Sequence, residues 1–546
     1  MAGLGIFSTP TTENEPVHSY EPGSKDRQQL AAAIKSLQAQ LPLRIPLVID
    51  GQPIYTEAVS KHLDPSNFTR VLAETSQASI EHVAKAIVAA QKAKRTWESS
   101  SLDTRSAIFL KAADLIANKY RFELLAATII GQGKNIYQAE IDAAAELIDF
   151  LRFNALYAHE LYKQQPLKSS PGIWNRAEYC ALDGFVYAVT PFNFTAIAGN
   201  IVAAPALMGN TIVWKPSPYA VLSNYLLLNI FIEAGIPAGV INFVPGDAVT
   251  VTKEVLSSRT FGGLHFTGSS EVFRNLYAQI AGNLAHYRSY PRIVGETGGK
   301  NFHLIHKSAS IASAAKSSIR GAFEYQGQKC SATSRIYVAE SISSSFINHL
   351  VAETNKLIMG SPADELTAFI GPVIHHSSFK KLDILLKTLQ EDSGVKILAG
   401  GKTNGTTGYY VEPTIVLADS ADHEVLKTEF FGPILAIYVY PDEEYESIME
   451  TIDLSTDYAL TGSVYAQDRA AIEVALQKLR HSAGNFYIND KSTGAVVGQQ
   501  WFGGSRQSGT NDKSGSGNIL NRFVSIRSIK ETFYDTSEVG YPSNIE

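Results

Sequence analysis

The sequence predicts an α/β protein of two open-sheet domains with a small β element near its end, and three observations lead there. The chain has 546 residues, and single hydrophobic cores stop growing near about 250 to 300 residues, so two large domains are expected. From Tyr179 onward, short apolar runs alternate with amphipathic stretches. That alternation is the sequence form of βαβ units, a parallel sheet covered by helices on both faces. Finally, Phe523 to Phe533 follows a glycine-rich polar tail and reads as an isolated strand, which needs a sheet edge, such as one on a partner subunit.

Taken in order, residues 1–26 read as a loose arm holding Pro10, Pro16 and Pro22 among Glu13, Glu15 and Glu21. Helical periodicity then dominates Arg27 to Leu41, Ile80 to Trp97, Asp103 to Lys119 and Asp142 to Tyr162, so the front third is expected to be a helical layer. A β-flap is expected near 165–186. The first alternation runs through Phe185 to Val189, a helix Ala196 to Met208, Thr211 to Trp214, a helix Val221 to Ala234, Val240 to Val244, Gly263 to Phe266, a helix from Ser270, and Arg292 to Val294. These place a first domain at 27–296. The second series has Asn301 to Ile305, a helix Ile311 to Tyr325, Arg335 to Val338, a helix Ile342 to Leu357, and runs at Val395 to Leu398, Ile434 to Val439 and Leu460 to Tyr465. It gives a second domain at 297–500, and 501–546 is left as a loop and a terminal strand. No internal repeat is present.

Composition narrows the class of function. Hydrophobic residues make up 45% and charged residues 18%, as in an ordinary soluble globular protein. A net charge of -6 with no long lysine and arginine run lacks the footprint of a nucleic-acid binder. Two cysteines make neither a disulfide framework nor a four-cysteine metal site, which fits a reducing compartment, and no metal is expected. The most apolar run, Ala196 to Val213, is interrupted by Pro205 and Gly209 and falls short of a membrane span of ~18 apolar residues. The first two dozen residues contain no arginine, unlike a mitochondrial transit peptide, so the N-terminus does not reveal an address.

Cys330, in Gly327-Gln328-Lys329-Cys330-Ser331, is a candidate nucleophile. Such a role needs thiolate, and a free thiol with a pKa of about 8.5 is only a few per cent ionised at neutrality; Lys329 next door is a possible aid. The plainer reading is a buried cysteine packing as a small hydrophobe, which is how Cys180 reads within Tyr179-Cys180-Ala181-Leu182. Glu296 follows a strand-like run and precedes two glycines that permit a tight turn, so it is either a base or a solvated loop carboxylate. Asn193 falls between a strand and a helix, where it can donate at the carboxyl edge of the sheet or simply cap the helix. Ser269 opens a helix whose first N–H groups favour a phosphate, or it is a plain cap. Lys215 ends an apolar strand, as a nucleotide contact or a solvated strand end. A GxGxxG fingerprint is absent, since Leu520 stands where Gly515 and Gly517 require the third glycine.

In this order, Thr190-Pro191-Phe192-Asn193-Phe194, Trp214-Lys215-Pro216-Ser217, Phe266-Thr267-Gly268-Ser269, Gly295-Glu296-Thr297-Gly298-Gly299-Lys300, Gly327-Gln328-Lys329-Cys330 and Glu429-Phe430-Phe431-Gly432-Pro433 resemble the aldehyde dehydrogenase superfamily. The resemblance spans about 40–535 and implies two Rossmann-like domains, one binding NAD and one catalytic, with a β oligomerisation element. Glu296 to Phe302, Asn485 to Gly494 and Phe502-Gly503-Gly504-Ser505 resemble the branch of that family that oxidises glutamate 5-semialdehyde in proline breakdown. Carried over residue by residue, the resemblance makes Cys330 the nucleophile, Asn193 an oxyanion donor and Glu296 the base for the hydrolytic water. It puts Lys215 and Glu429 at the two ribose regions, Ser269 at the pyrophosphate and Phe431 near the nicotinamide, with Ser217 and Gly268 in the same cofactor-binding set. Phe194, Ser331, Gly504 and Ser505 become substrate contacts. Many relatives carry a glutamate three residues after the lysine; Pro218 stands there instead, so NAD is preferred with NADP as the alternative. Trp501 stands where relatives often have proline. The family implies a homodimer or larger oligomer, a mitochondrial matrix address with the cytoplasm as alternative, and proline dehydrogenase as the upstream enzyme and a candidate partner. Two other readings stay open: a dehydrogenase of another carboxylated semialdehyde, and a catalytically silent homologue.

Overall fold

The computed structural model describes residues 7–544, so residues 1–6 of the expected arm and 545–546 of the expected terminal unit lie outside the described range. Two seven-stranded sheets organise the chain. In the first, the strands lie side by side in the order Arg292–Glu296, Phe261–Thr267, Phe185–Val189, Ile212–Lys215, Ile241–Phe243, Leu47–Ile49 and Gln52–Ile54. The first five run parallel, and the last two complete the edge in antiparallel fashion. Successive side chains leave a strand on opposite faces. Phe185 and Tyr187 accordingly join one core cluster with Val213 and Phe266, and Val186 and Ala188 join another with Ile212 and Trp214. Both faces are buried, which is why these strands read as continuous apolar runs.

The second sheet has the order Val395–Ala399, Thr414–Ala418, Ile434–Tyr440, Thr333–Ala339, Asn301–Ile305, Thr461–Tyr465 and Asn485–Ile488. It is parallel except at Val395–Ala399. Again two clusters divide its faces: Phe302, Leu304 and Tyr337 on one, Ile336, Val338 and Leu435 on the other.

Three expectations are corrected. The front third is not purely helical: Leu43–Ile45, Asn67–Ser76 and Val59–Asp64 form a three-stranded sheet, and Leu47–Ile49 and Gln52–Ile54 extend the first large one. The three-residue strands carry too little alternation to register as a pattern, and the two longer ones, Val59–Asp64 and Asn67–Ser76, lack a regular buried-exposed alternation. The arm is not loose either. Glu15 bridges Arg121 (2.7 Å) and Arg152 (2.8 Å), and Asn14 Nδ2 donates to Asp149 Oδ2 and to the Val497 carbonyl, each at 2.7 Å. Buried charges need partners, and the arm supplies them without regular structure. Lastly, the late strand is not isolated. Val524–Thr532 pairs antiparallel with Ile173–Ala181 of the same chain, from Val524 opposite Ala181 to Thr532 opposite Ile173, and Cys180 sits in that ribbon opposite Ser525. Among the described residues, no helix is long and apolar enough to cross a membrane.

Candidate active site

Parallel sheets present the carboxyl ends of their strands at one edge, where α/β proteins bind ligands. In the first sheet that edge carries Lys215 at the end of Ile212–Lys215, Glu296 at the end of Arg292–Glu296, Gly268 and Ser269 just past Thr267, and Asn193 shortly past Val189. A cavity between this edge and the second sheet is lined by Cys330, Ser331, Glu296, Phe194 and Gly504, together with Glu146, Thr493 and Lys513.

Cys330 follows a turn in which Tyr325 (φ 51°), Gln326 (φ 55°) and Gly327 (φ 67°) are all left-handed. For the two non-glycine residues this costs on the order of 1–3 kcal/mol each and persists only where surroundings fix it. Here they do: Tyr325 Oη donates to the Gln132 carbonyl (2.8 Å), and Gln326 Nε2 to the carbonyls of Gly133 (3.1 Å) and Pro372 (2.8 Å). On the far side, Asn301 Nδ2 donates to the carbonyls of Cys330 (2.7 Å) and Ala332 (2.8 Å). The thiol is thus held by its backbone from both directions. Burial pushes its pKa well up, and the carboxylates Glu296 and Glu429 push the same way. Lys329 does not offset this. Its ammonium is paired with Glu324 at 3.1 Å, which Lys491 also contacts, because a buried carboxylate between two lysines draws both.

Asn193 is buried, and its Nδ2 donates to the Gln328 carbonyl at 3.1 Å. An amide nitrogen carries two hydrogens, so this bond orients the group and leaves a second N–H. The Glu296 carboxyl is pushed up to about 8 by burial, with Lys513 pulling against the rise, and its buried Oε1 has no hydrogen-bond partner. The C-terminal tail folds back over this residue: Thr297 N–H donates to the Ser508 carbonyl (3.0 Å) and Thr510 N–H to the Gly295 carbonyl (2.9 Å). Lys513 is held by the carbonyls of Gly484 and Gly503, each at 2.8 Å.

A smaller cavity beyond Lys329 is lined by Gly299, Glu429 and Phe431. Glu429 Oε1 accepts from Gly299 N–H at 2.8 Å, an approach that requires glycine, since a Cβ at Gly298 would come within 2.3 Å of Glu429 Oε2. Burial raises the Glu429 pKa against that N–H bond and lowers that of Lys215. Ser269 caps helix Ser270–Gly282, accepting from Val272 N–H at 3.3 Å. Ser217 lies two residues beyond the Lys215 strand end and accepts from Tyr219 N–H.

Cys330, Glu296, Phe194, Ser331 and Gly504 therefore meet on one cavity, with Glu429 and Phe431 on its neighbour. Lys215, Ser217, Gly268 and Ser269 line neither and mark the sheet edge beside them. Ser505 is not a cavity residue; it pairs with Ala459 in a two-stranded ribbon. The Ser331 hydroxyl is engaged with Thr493 Oγ1 at 2.7 Å. Glu146 and Lys513 are among the cavity groups that the sequence does not single out, whereas Thr493 falls inside the Asn485 to Gly494 motif.

The aldehyde dehydrogenase family profile matches residues 55–529. A probable delta-1-pyrroline-5-carboxylate dehydrogenase of Schizosaccharomyces pombe is 53% identical over 547 residues, covering 100% of both chains. The mitochondrial delta-1-pyrroline-5-carboxylate dehydrogenase of Emericella nidulans is 54% identical over 548 residues, covering 100% of this chain and 96% of the relative. The crystal structure of the Mycobacterium tuberculosis delta-pyrroline-5-carboxylate dehydrogenase bound with NAD superposes with a TM-score of 0.95 at 45% identity, over 99% of this chain and 100% of that one. Fold and sequence agree along the whole length, and the chain belongs to the aldehyde dehydrogenase family.

Proposed function

We propose that the protein oxidises L-glutamate 5-semialdehyde, in equilibrium with 1-pyrroline-5-carboxylate, to L-glutamate with NAD, the second step of proline degradation. The observation that carries this reading is a buried thiol, Cys330, sharing one cavity with Glu296, whose carboxyl oxygen is buried without a partner. Full-length relatives named for this activity support the substrate.

The residues present fit the cofactor. Lys215, Gly268 and Ser269 stand at the carboxyl edge of a parallel sheet, the place for a nucleotide, and Glu429 and Phe431 line the cavity that adjoins Cys330. Lys215 with Ser217 and Glu429 would hold the riboses, Ser269 the pyrophosphate and Phe431 the nicotinamide. When bound, NAD supplies the two-electron acceptor for the oxidation.

Cys330 Sγ gives up its proton to solvent and bonds to the aldehyde carbon, and the oxygen becomes an oxyanion. The second N–H of Asn193 and the Cys330 backbone N–H receive that charge; losing one such donor typically costs ~10²–10³-fold in rate. Once two electrons and the carbon-bound proton have left, Cys330 holds a thioester. Glu296 then takes a proton from water as its oxygen bonds to the thioester carbon, the C–S bond breaks, and Cys330 leaves as thiolate while the new carboxyl of glutamate releases the second water proton to solvent. Phe194 lies along the methylenes. Gly504 offers backbone N–H to the substrate carboxylate. With Glu324 paired to Lys329 and Lys491, Glu146 is the acid for the substrate ammonium: burial and Asp142 push its carboxyl up to about 8, and the bound positive charge favours its ionised form.

The address proposed is the mitochondrial matrix, and the assembly a homodimer or larger, built on the ribbon of Ile173–Ala181 and Val524–Thr532. Purified protein is expected to reduce NAD, and NADP more weakly, on 1-pyrroline-5-carboxylate, with Cys330→Ala inactive. Wild-type turnover by that variant would overturn the mechanism.

A further inference from the structure

Helix Thr195–Leu207 starts two residues after Asn193, and its N-cap residue, Phe194, makes no side-chain cap hydrogen bond. The cap comes from elsewhere in the chain. Asp142 accepts from Thr195 N–H through Oδ2 (3.0 Å) and from Ala196 N–H through Oδ1 (2.8 Å). A carboxylate there satisfies first-turn donors and complements the helix dipole. Asp142 reaches this point from a π-helical turn, Glu140–Glu146, a widened geometry frequent at functional sites.

Asp142 is not left alone in the interior. Lys134 Nζ donates to its Oδ2 at 2.7 Å, and both residues are fully buried. The same ammonium lies 4.0 Å from the centroid of the Phe194 ring and 4.7 Å from that of Tyr325. Lys134 follows Gly133, the left-handed cap that ends helix Arg121–Gln132, and Gln132 Nε2 donates to the Phe192 carbonyl at 2.6 Å. One helix end thus grips Phe192 on one flank of Asn193, and the ion pair grips Phe194, Thr195 and Ala196 on the other.

As a stability device the pair is a poor choice, because an apolar replacement of a buried ion pair is often neutral or stabilising. Its value lies in where it holds the chain. We propose that Asp142 and Lys134 are positioning residues for the reaction: Asp142 fixes the helix start that aims the Asn193 amide at the oxyanion, and Lys134 fixes the Phe194 ring along the substrate. The inference rests on the oxyanion role of Asn193 given above.

The test compares the single-turnover burst of NADH, deacylation, KM for NAD and Tm in four variants. Lys134→Met/Asp142→Leu removes both charges, so no unpaired buried charge is left to prevent folding. Its burst rate is expected to fall about 10²-fold, the scale of a misplaced catalytic group, and deacylation to slow with it, since water addition to the thioester forms an oxyanion at the same amide, while KM for NAD is unchanged. Asp142→Asn keeps one acceptor oxygen and is expected to lose less. Added to Asn193→Ala, Asp142→Asn is expected to cause no further loss, because both act on the Asn193 amide. A wild-type burst in the folded double variant while Asn193→Ala is slow, or losses that multiply, overturns this inference alone. A wild-type burst in Asn193→Ala overturns the oxyanion reading, and this inference with it.

Discussion

Glu296 is protonated through most of the neutral range, since burial raises its carboxyl to about 8. A base for water must be ionised, so the rate of thioester hydrolysis is expected to climb as pH rises through that value, while Glu296→Gln keeps the NADH burst and loses about 10²–10⁴-fold in deacylation. A flat deacylation profile between pH 6 and 9, measured by stopped flow, would count against the assignment. Stability carries the opposite sign. The folded carboxyl retains its proton up to about 8, whereas the unfolded one loses it near about 4.3. Across that window the native state binds more protons, so stability falls as pH rises, and the Tm of Glu296→Gln is expected to exceed that of the wild type by a margin that widens from pH 5 to pH 8. Glu146 has its own test: Glu146→Gln is expected to raise KM for glutamate semialdehyde roughly tenfold, the scale of one hydrogen bond to a charged group, but not KM for succinate semialdehyde, which has no ammonium. Cys330, Glu296 and Asn193 stood out as candidates in the sequence because each sits in an ordered motif. Glu146 did not, since a helical stretch does not declare which of its turns faces a cavity.

Among the elements, the long parallel strands were legible for a physical reason: buried on both faces, they form apolar runs of four to seven residues. Helix Arg121–Gln132 was missed because all of its residues except Phe122 and Glu123 are buried, which erases the polar face that periodicity needs. The turn after Glu296 shows how an element sets chemistry. Gly298 lets Glu429 close on Gly299 N–H, and a Cβ would meet the carboxylate. Gly298→Ala is therefore expected to raise KM for NAD roughly tenfold, a displacement worth one charge-assisted hydrogen bond, with the Glu296-dependent step intact. An unchanged KM for NAD in initial-rate kinetics would show that Glu429 tolerates the displacement.

On the scale of the whole molecule, the chain's distant parts converge on the site: the tail at Ser508 and Thr510 pins the Glu296 segment, and the arm at Asn14 ties Asp149 to Val497. The terminal ribbon points outward, with Trp174 and Ile526 about half exposed, as expected of a surface that a second copy covers. Ile526→Asp is expected to shift the mass in light scattering to the monomer; an unchanged mass would place the interface elsewhere.

The fold class, the parallel strands and the candidate thiol, base and amide could be read from the sequence alone, because periodicity and motif order are local properties of the chain. Tertiary structure alone decided how those groups are tuned. Lys329 turns to Glu324, Gln328 orients Asn193, Asp142 caps a helix that begins 53 positions later, and Glu296 stays protonated near neutrality. Burial and hydrogen-bond partners set these properties, and both come from residues that are remote in sequence and adjacent only once the chain has folded.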